Sequence, residues 1–152
     1  MLFTSMLASS YNFTEIRYSD ALDSSVELQG EISFEKNSLF IKYHKNNRLI
    51  LYKDAVLDLK ENANTITLSA MESQRVAQYF EIILLLYAND ETQMQEVFEV
   101  IKKDEETFLK PKNELSRFLE KIILLRVANA LKEIKLFMKN RDTITIRIED
   151  EI

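Results

Sequence analysis

Few residues of this chain have side chains that could take part in catalysis. Its 152 residues include one histidine, His44, and no cysteine, which excludes thiol nucleophiles, thiolate metal sites and disulfides. His44 follows a strand-like segment and precedes Lys45, Asn46 and Asn47, a setting typical of a solvated turn residue and not of a general base. Gly30 is the only glycine, so a glycine-rich phosphate loop is excluded. The sequence therefore predicts no enzyme, no metal site and no cofactor.

Charge and hydropathy argue against two further classes of protein. The chain has 25 acidic and 20 basic residues, with a net charge of -5, and its basic residues are scattered singly, so nucleic acid is not expected as a partner. The longest apolar run, residues 82–88, is far shorter than the roughly 20 residues of a membrane-spanning helix. We therefore expect no transmembrane segment. The acidic run Asp104, Glu105 and Glu106 is interpreted as a solvated hairpin turn.

The remaining chemistry is the burial of apolar surface. Residues 26–34 place an apolar or small residue at every even position and a polar one at every odd position, which predicts a β-strand with one apolar face. The same period of two recurs at residues 39–43, 65–68, 134–138 and 144–148, so we expect a one-sided antiparallel sheet whose apolar face must be covered. The candidate residues of this face are Val26, Leu28, Ile32, Phe34, Leu39, Ile41, Tyr43, Ile134, Leu136, Met138, Ile144, Ile146 and Ile148.

A helix is predicted to cover this face. From residue 72 to residue 87, apolar side chains recur at steps of three and four, and Ser69 or Ser73 is available as a cap. The helical residues expected to meet the sheet are Val76, Tyr79, Phe80, Ile83 and Leu84. Patterning alone favours an ordinary packed core, because close packing is the usual fate of such faces. The alternative is an apolar guest held between helix and sheet.

The other elements complete a mainly β, α+β chain that is expected to form a single domain, residues 1–152. Short helices are predicted at residues 1–10 and 90–96. Further strands are predicted at residues 13–19, 48–52, 55–59, 98–103 and 107–109. Residues 114–139 are interpreted as two strands joined near Asn129, with a helical layer as the alternative. Because the chain has one glycine and one proline, its turns are expected to use asparagine and aspartate, which tolerate left-handed backbone angles.

Two segments carry a resemblance to a known family. One is a strand, Phe98-Glu99-Val100, followed by an acidic turn and then by Phe108-Leu109-Lys110-Pro111-Lys112-Asn113. The other is Gly30-Glu31-Ile32-Ser33-Phe34, which leads by a turn to Leu39-Phe40-Ile41-Lys42-Tyr43. In this order of elements the chain resembles the periplasmic lipoprotein carriers of the LolA family over residues 2–150. It departs from the family pattern at Lys36-Asn37, where the family has an Arg-Pro step, and at Lys53-Asp54, where it has a turn glycine.

The resemblance implies both a fold and a function. The fold would be a half-open antiparallel β-barrel whose apolar face is covered by a lid helix. The apolar residues named above would bind acyl chains of lipoproteins or lipids, and Lys36 would stand at the place of the arginine that holds the lid and releases cargo. The chain would act as a monomer in the periplasm, after removal of a signal peptide, between an inner-membrane release complex and an outer-membrane acceptor. The alternative function is a non-catalytic protein-interaction or assembly module with a solid core.

Overall fold

The computed structural model describes residues 9–152, which contain eleven β-strands and two α-helices. In chain order these are β1 (Ser9–Ser19), β2 (Ser24–Glu35), β3 (Ser38–Tyr43), β4 (Leu49–Lys53), β5 (Val56–Glu61), β6 (Asn64–Thr65), α1 (Ala70–Ala88), α2 (Glu91–Val97), β7 (Phe98–Lys103), β8 (Glu106–Pro111), β9 (Leu119–Val127), β10 (Ala130–Met138) and β11 (Thr143–Glu151). Short 3-10 turns lie at Lys45–Asn47 and Asn113–Arg117.

The strands follow one hydrogen-bonded order, β6-β5-β4-β3-β2-β1-β11-β10-β9-β8-β7. Antiparallel pairing joins each strand to the next from β2 to β6 and from β7 to β11. The predicted fold class, mainly β with an antiparallel sheet and helices, is confirmed.

The chain divides into two compact units. Unit 1 contains the described residues 9–12, 29–88 and 150–152, and therefore β3 to β6 and α1 with the adjoining parts of β1 and β2. Unit 2 contains residues 13–28 and 89–149, and therefore α2 and β7 to β10 with the rest of β1 and β2 and most of β11. The buried apolar residues of unit 2 include Phe13, Met94, Phe98, Leu109, Leu119, Ile122, Leu124, Ile134, Leu136, Ile146 and Ile148.

Asparagine and aspartate occupy most of the left-handed backbone positions, as predicted. Ten residues of these two types have positive φ, from Asp23 to Asn129. Alanine occupies three more such positions, each in a two-residue hairpin turn: Ala55 (φ 63°), Ala63 (φ 67°) and Ala128 (φ 51°). These turns fit the right-handed twist of their strands because both central residues are left-handed.

Most predicted elements are present with similar bounds. The strand at residues 98–103 has the predicted limits, and Ser69 caps α1, since its Oγ accepts a hydrogen bond from the Glu72 amide at 3.2 Å. Asp90 caps α2 by accepting a bond from the Gln93 amide. β9 and β10 are joined by the turn at residues 128–129, so the helical alternative for residues 114–139 is wrong.

Two local predictions need correction. The strand predicted at residues 65–68 is wrong beyond Thr65, where β6 ends, because the chain leaves the ladder after the bond from the Ile66 amide to the Leu59 carbonyl and approaches α1. The helix predicted at residues 1–10 is wrong at Ser9 and Ser10, which already belong to β1. Its remaining positions lie outside the described residues.

Candidate functional site

The middle of one face of the unit 1 sheet is apolar and buried. Its side chains form rows across the strands, and in one row Ile32 pairs with Ile41, Ile41 with Ile50 and Ile50 with Leu59. A second row begins with Phe34 opposite Leu39 and continues to Tyr52. We call this set the inner face: Ile32, Phe34, Leu39, Ile41, Tyr43, Ile50, Tyr52 and Leu59, each at most 8% exposed.

The second half of α1 packs against the inner face. The ring of Tyr87 stacks on that of Phe34, with centroids 3.8 Å apart and an interplanar angle of 4°. The ring of Phe80 lies 6.3 Å from that of Tyr52. Ile82, Ile83 and Leu86 are also buried. The helix therefore covers the apolar surface, as predicted.

The first two turns of α1 are far more exposed than the rest of the helix. Met71 is 65% exposed, and Glu72, Gln74 and Arg75 are exposed as well, whereas Ile83 has no exposed surface. The apolar contacts of the helix are thus concentrated between Phe80 and Tyr87.

Two hydroxyl groups link the sheet to α1. The Tyr11 and Tyr87 hydroxyls lie 3.1 Å apart, and the Tyr52 hydroxyl donates a hydrogen bond to the Glu81 carboxylate. Burial and the bond to Tyr87 raise the pKa of Tyr11 to about 12. Burial and the Glu81 carboxylate likewise raise the pKa of Tyr52. Both hydroxyls therefore stay neutral at physiological pH, and the inner face presents no charged side chain.

The predicted binding residues fall into two groups. In unit 1 the structure brings Ile32, Phe34, Leu39, Ile41 and Tyr43 to the inner face, beside the buried Phe80 and Ile83 and the half-buried Val76, Tyr79 and Leu84 of α1. Lys36 is exposed in the turn between β2 and β3, and its role in cargo release stays a prediction.

The other group lies in unit 2. On β10 and β11, Ile134 pairs with Ile146 and Leu136 with Ile144. Ile134, Leu136, Ile146 and Ile148 are buried, whereas Leu28, Met138 and Ile144 are half-buried. Val26 is 53% exposed, because it lies near the exposed turn between β1 and β2 and not within the buried part of that strand.

Sequence reasoning missed several inner-face residues. Ile50 and Tyr52 on β4 and Leu59 on β5 line the face as fully as the predicted residues, and Ile82 and Leu86 of α1 are buried with them. The signal was present, since Ile50 and Tyr52 alternate with Leu51, but a strand with apolar residues at consecutive positions does not reveal which face is buried.

A buried carboxylate in unit 2 was also missed. Glu15 is only 1% exposed, and both of its carboxylate oxygens accept bonds from the Arg17 guanidinium, at 3.1 and 3.3 Å. Its neighbour Thr14 is buried and donates to Glu149 at 2.7 Å. A buried carboxylate requires such partners, so this arrangement has a structural explanation.

Among residues 9–152 no group of three or more histidine, cysteine, aspartate or glutamate side chains is placed to hold a metal ion. No helix within the same residues is long and apolar enough to cross a membrane. His44 is exposed at the end of β3, as predicted.

Comparison with known proteins gives likenesses of fold at very low sequence identity. No protein-family profile matches the chain, and no curated protein matches it. Among solved structures, the chain is similar to a LolA superfamily protein from Nitrosomonas europaea, with a TM-score of 0.44 and 9% identity over 97% of this chain and 86% of that one. It is also similar to a domain from Vibrio parahaemolyticus proposed to belong to an outer membrane lipoprotein-sorting protein, with a TM-score of 0.40 and 7% identity over 98% of this chain and 86% of that one. The first of these bears the name of the family that the sequence resembles.

Proposed function

We propose that this chain binds acyl chains of lipids or lipoproteins between α1 and the inner face of unit 1, and carries them through the periplasm toward the outer membrane. The observation that carries the proposal is the inner face itself, an apolar surface on four strands covered by one helix. That helix meets the face mainly through the side chains from Phe80 to Tyr87. In this function α1 is a lid, and its side chains occupy the place of the cargo when the protein is empty.

The free energy gained by burying an acyl chain is similar in size to the free energy lost when α1 leaves the inner face. Burying a long acyl chain of about 15 methylenes stabilises the complex by roughly 12 kcal/mol, at about 0.8 kcal/mol per methylene. Lifting α1 exposes Phe80, Ile83, Leu86 and Tyr87, at a cost of roughly 1.5–3 kcal/mol each. The two hydroxyl links add about 1 kcal/mol each. Because these amounts nearly balance, uptake and release are both possible without an external energy source.

The finer parts of the proposal concern cargo transfer. The predicted unit 2 residues Ile134, Leu136, Ile146 and Ile148 offer a second buried apolar surface, and we retain them as proposed contacts. Lys36 is proposed to act in release. The proposed partners are an inner-membrane complex that supplies the lipoprotein and an outer-membrane acceptor that receives it.

The second candidate function is an assembly module with a solid core. It is favoured by the close packing of the inner face, whose residues are at most 8% exposed. Among the described residues every buried side-chain nitrogen and oxygen atom has a hydrogen-bond partner, as is usual in a well-packed protein core. In this function α1 never leaves the sheet.

Truncation of the lid distinguishes the two functions. Phe80→Ala removes a buried ring between helix and sheet, and Leu119→Ala removes a similarly buried side chain from the unit 2 core. Both variants should lose roughly 2–5 kcal/mol of unfolding free energy. If α1 is a lid, only Phe80→Ala should bind a fluorescent fatty-acid probe more tightly than the wild type, because less lid surface has to be displaced.

Native mass spectrometry of the protein purified from cells provides the second measurement. A carrier should retain acyl species, which extraction with organic solvent would identify. A wild-type protein that is always empty and binds no probe would exclude the carrier and leave the assembly module.

A further inference from the structure

The opposite face of β3, β4 and β5 combines exposed apolar side chains with lysines. Side chains alternate between the two faces of a strand, so the residues between those of the inner face point away from α1. We call this set the outer patch: Phe40, Lys42, Leu49, Leu51, Lys53, Val56, Asp58 and Lys60. Phe40 and Leu51 are each 37% exposed and Val56 is 67% exposed. Three of the ten large apolar residues with high exposure in the described chain therefore lie on three adjacent strands.

The strand register places lysines next to these apolar residues. Leu49 lies opposite Lys42 on one side and Lys60 on the other, and Val56 lies opposite Lys53. Phe40 lies opposite Leu51, and Leu51 opposite Asp58. The patch thus has three lysines and one aspartate, a local charge of +2, on a chain whose net charge is -5.

We propose that the outer patch docks on the surface of an anionic lipid bilayer. The lysine ammonium groups would contact the lipid phosphates. The neighbouring side chains of Phe40, Leu51 and Val56 would then enter the headgroup region. Long lysine side chains suit this arrangement because their alkyl stems lie along apolar surface while the charge stays in water. On the β2 side the patch is bordered by Glu31, opposite Lys42, and by Glu35, opposite Ser38, so the β4 and β5 side would face the lipid.

Two observations favour a bilayer over a protein partner. β3 and β4 each pair with a strand on both sides, so the patch offers side chains and no free strand edge for an added strand. The eight residues of the patch are also far fewer than the roughly 20–30 per side in a stable protein interface. A few apolar side chains with basic neighbours do suffice for reversible attachment to a charged membrane.

The proposal does not depend on acyl-chain binding and is tested separately by vesicle flotation. The wild-type protein should float with vesicles of phosphatidylcholine containing about one third phosphatidylglycerol at low salt. It should not float with pure phosphatidylcholine, nor with the anionic vesicles at high salt, because the attraction is screened. The triple variant Lys42→Gln, Lys53→Gln, Lys60→Gln should lower the vesicle partition coefficient about a hundredfold.

A matched triple variant in unit 2 is the control. Lys121→Gln, Lys132→Gln, Lys135→Gln makes the same change in net charge at partly or fully exposed positions on β9 and β10 and should float like the wild type. Leu51→Ser should weaken flotation without changing its salt dependence, and circular dichroism checks that each variant is folded.

Four results would overturn the proposal. The wild type could fail to float, the two triple variants could lose flotation equally, or the outer-patch lysines could be needed only for binding soluble polyglutamate, which would indicate an acidic protein partner. Vesicle binding through the acyl site alone would leave the outer-patch variant floating like the wild type, and so also count against it.

Discussion

Gly30 is buried on β2, directly against the backbone of β3. A Cβ atom at this position would collide with the carbonyl oxygen of Lys42 and lie 3.0 Å from the Tyr43 Cα. Both obstacles are backbone atoms that cannot move without disturbing the pairing of Gly30 with Tyr43. Gly30→Ala should therefore lower the free energy of unfolding by about 1–3 kcal/mol, measured by urea denaturation. The exposed neighbour Gln29 is the control, and Gln29→Ala should change stability by less than about 0.5 kcal/mol.

The left-handed alanines give a second prediction at the scale of single residues. Ala128 has φ 51° in the turn between β9 and β10, where a Cβ atom is unfavourable by roughly 1–2 kcal/mol. Ala128→Gly removes this strain but makes the unfolded chain more flexible, so we expect a net gain of about 0.5–1 kcal/mol in unfolding free energy. The same substitution at Ala77, within α1, should cost about 1 kcal/mol. A loss at both positions in thermal denaturation would contradict the argument.

At the scale of the elements, the hydroxyl link between Tyr11 and Tyr87 should make α1 sensitive to alkaline pH. The pKa of Tyr11 is raised to about 12 in the folded protein, compared with about 10 in an unfolded chain. The folded state therefore holds the phenolic proton more tightly, and the stability this provides is fully present below about pH 10 and is lost as the pH rises toward 12. Tyr11→Phe should be less stable at pH 8 but should show a smaller further decline between pH 10 and 12.

Denaturant titrations at several pH values measure this decline, and tyrosinate absorbance gives an independent value. Compared with the wild type, the Tyr11→Phe variant should have one tyrosine fewer that titrates above the usual tyrosine pKa of about 10. An equal decline in wild type and variant would mean that Tyr11 is not held in its neutral form by the contact with α1.

The predictability of the elements follows from how locally each is encoded. Alternation of polar and apolar residues suffices for β2, β3, β10 and β11, because each has one buried face over most of its length. It fails at residues 66–68, where Ile66 and Leu68 are half-buried without a strand to pair with, since alternation reports burial and not hydrogen bonding. It also fails to predict the apolar half of the outer patch, because Phe40 and Leu51 stand at positions where the period of two requires polar residues.

For the whole molecule, the sequence predicts the elements better than their order. Hairpin neighbours such as β3 and β4 follow from short turns, but the place of β1 between β2 and β11 joins segments from opposite ends of the chain, and no local pattern encodes it. The candidate site likewise depends on contacts that no local sequence pattern encodes. Its strand residues could be predicted singly, whereas the stacking of Tyr87 on Phe34 depends on where α1 lies on the sheet.

The strand order leads to a prediction about the stability of the sheet as a whole. β10 pairs with β9 over residues 130–138 and with β11 over residues 133–137, and Ile134 and Leu136 within it are at most 1% exposed. β7 ends the order and pairs only with β8 among the described strands, and its Ile101 is 54% exposed. Amides in β10 should therefore exchange only through global unfolding, whereas alternate amides of β7 should exchange faster by several orders of magnitude.

Native-state hydrogen exchange followed by NMR checks both strands in one experiment, and increasing denaturant separates the two mechanisms. Exchange in β10 should accelerate with denaturant as steeply as global unfolding does, whereas exchange at the free amides of β7 should hardly depend on it. Uniform protection along β7 would show that a further partner covers this edge in solution. Since the outer patch lies in unit 1, addition of anionic vesicles should leave the exchange pattern of β7 unchanged, which separates edge pairing from membrane docking.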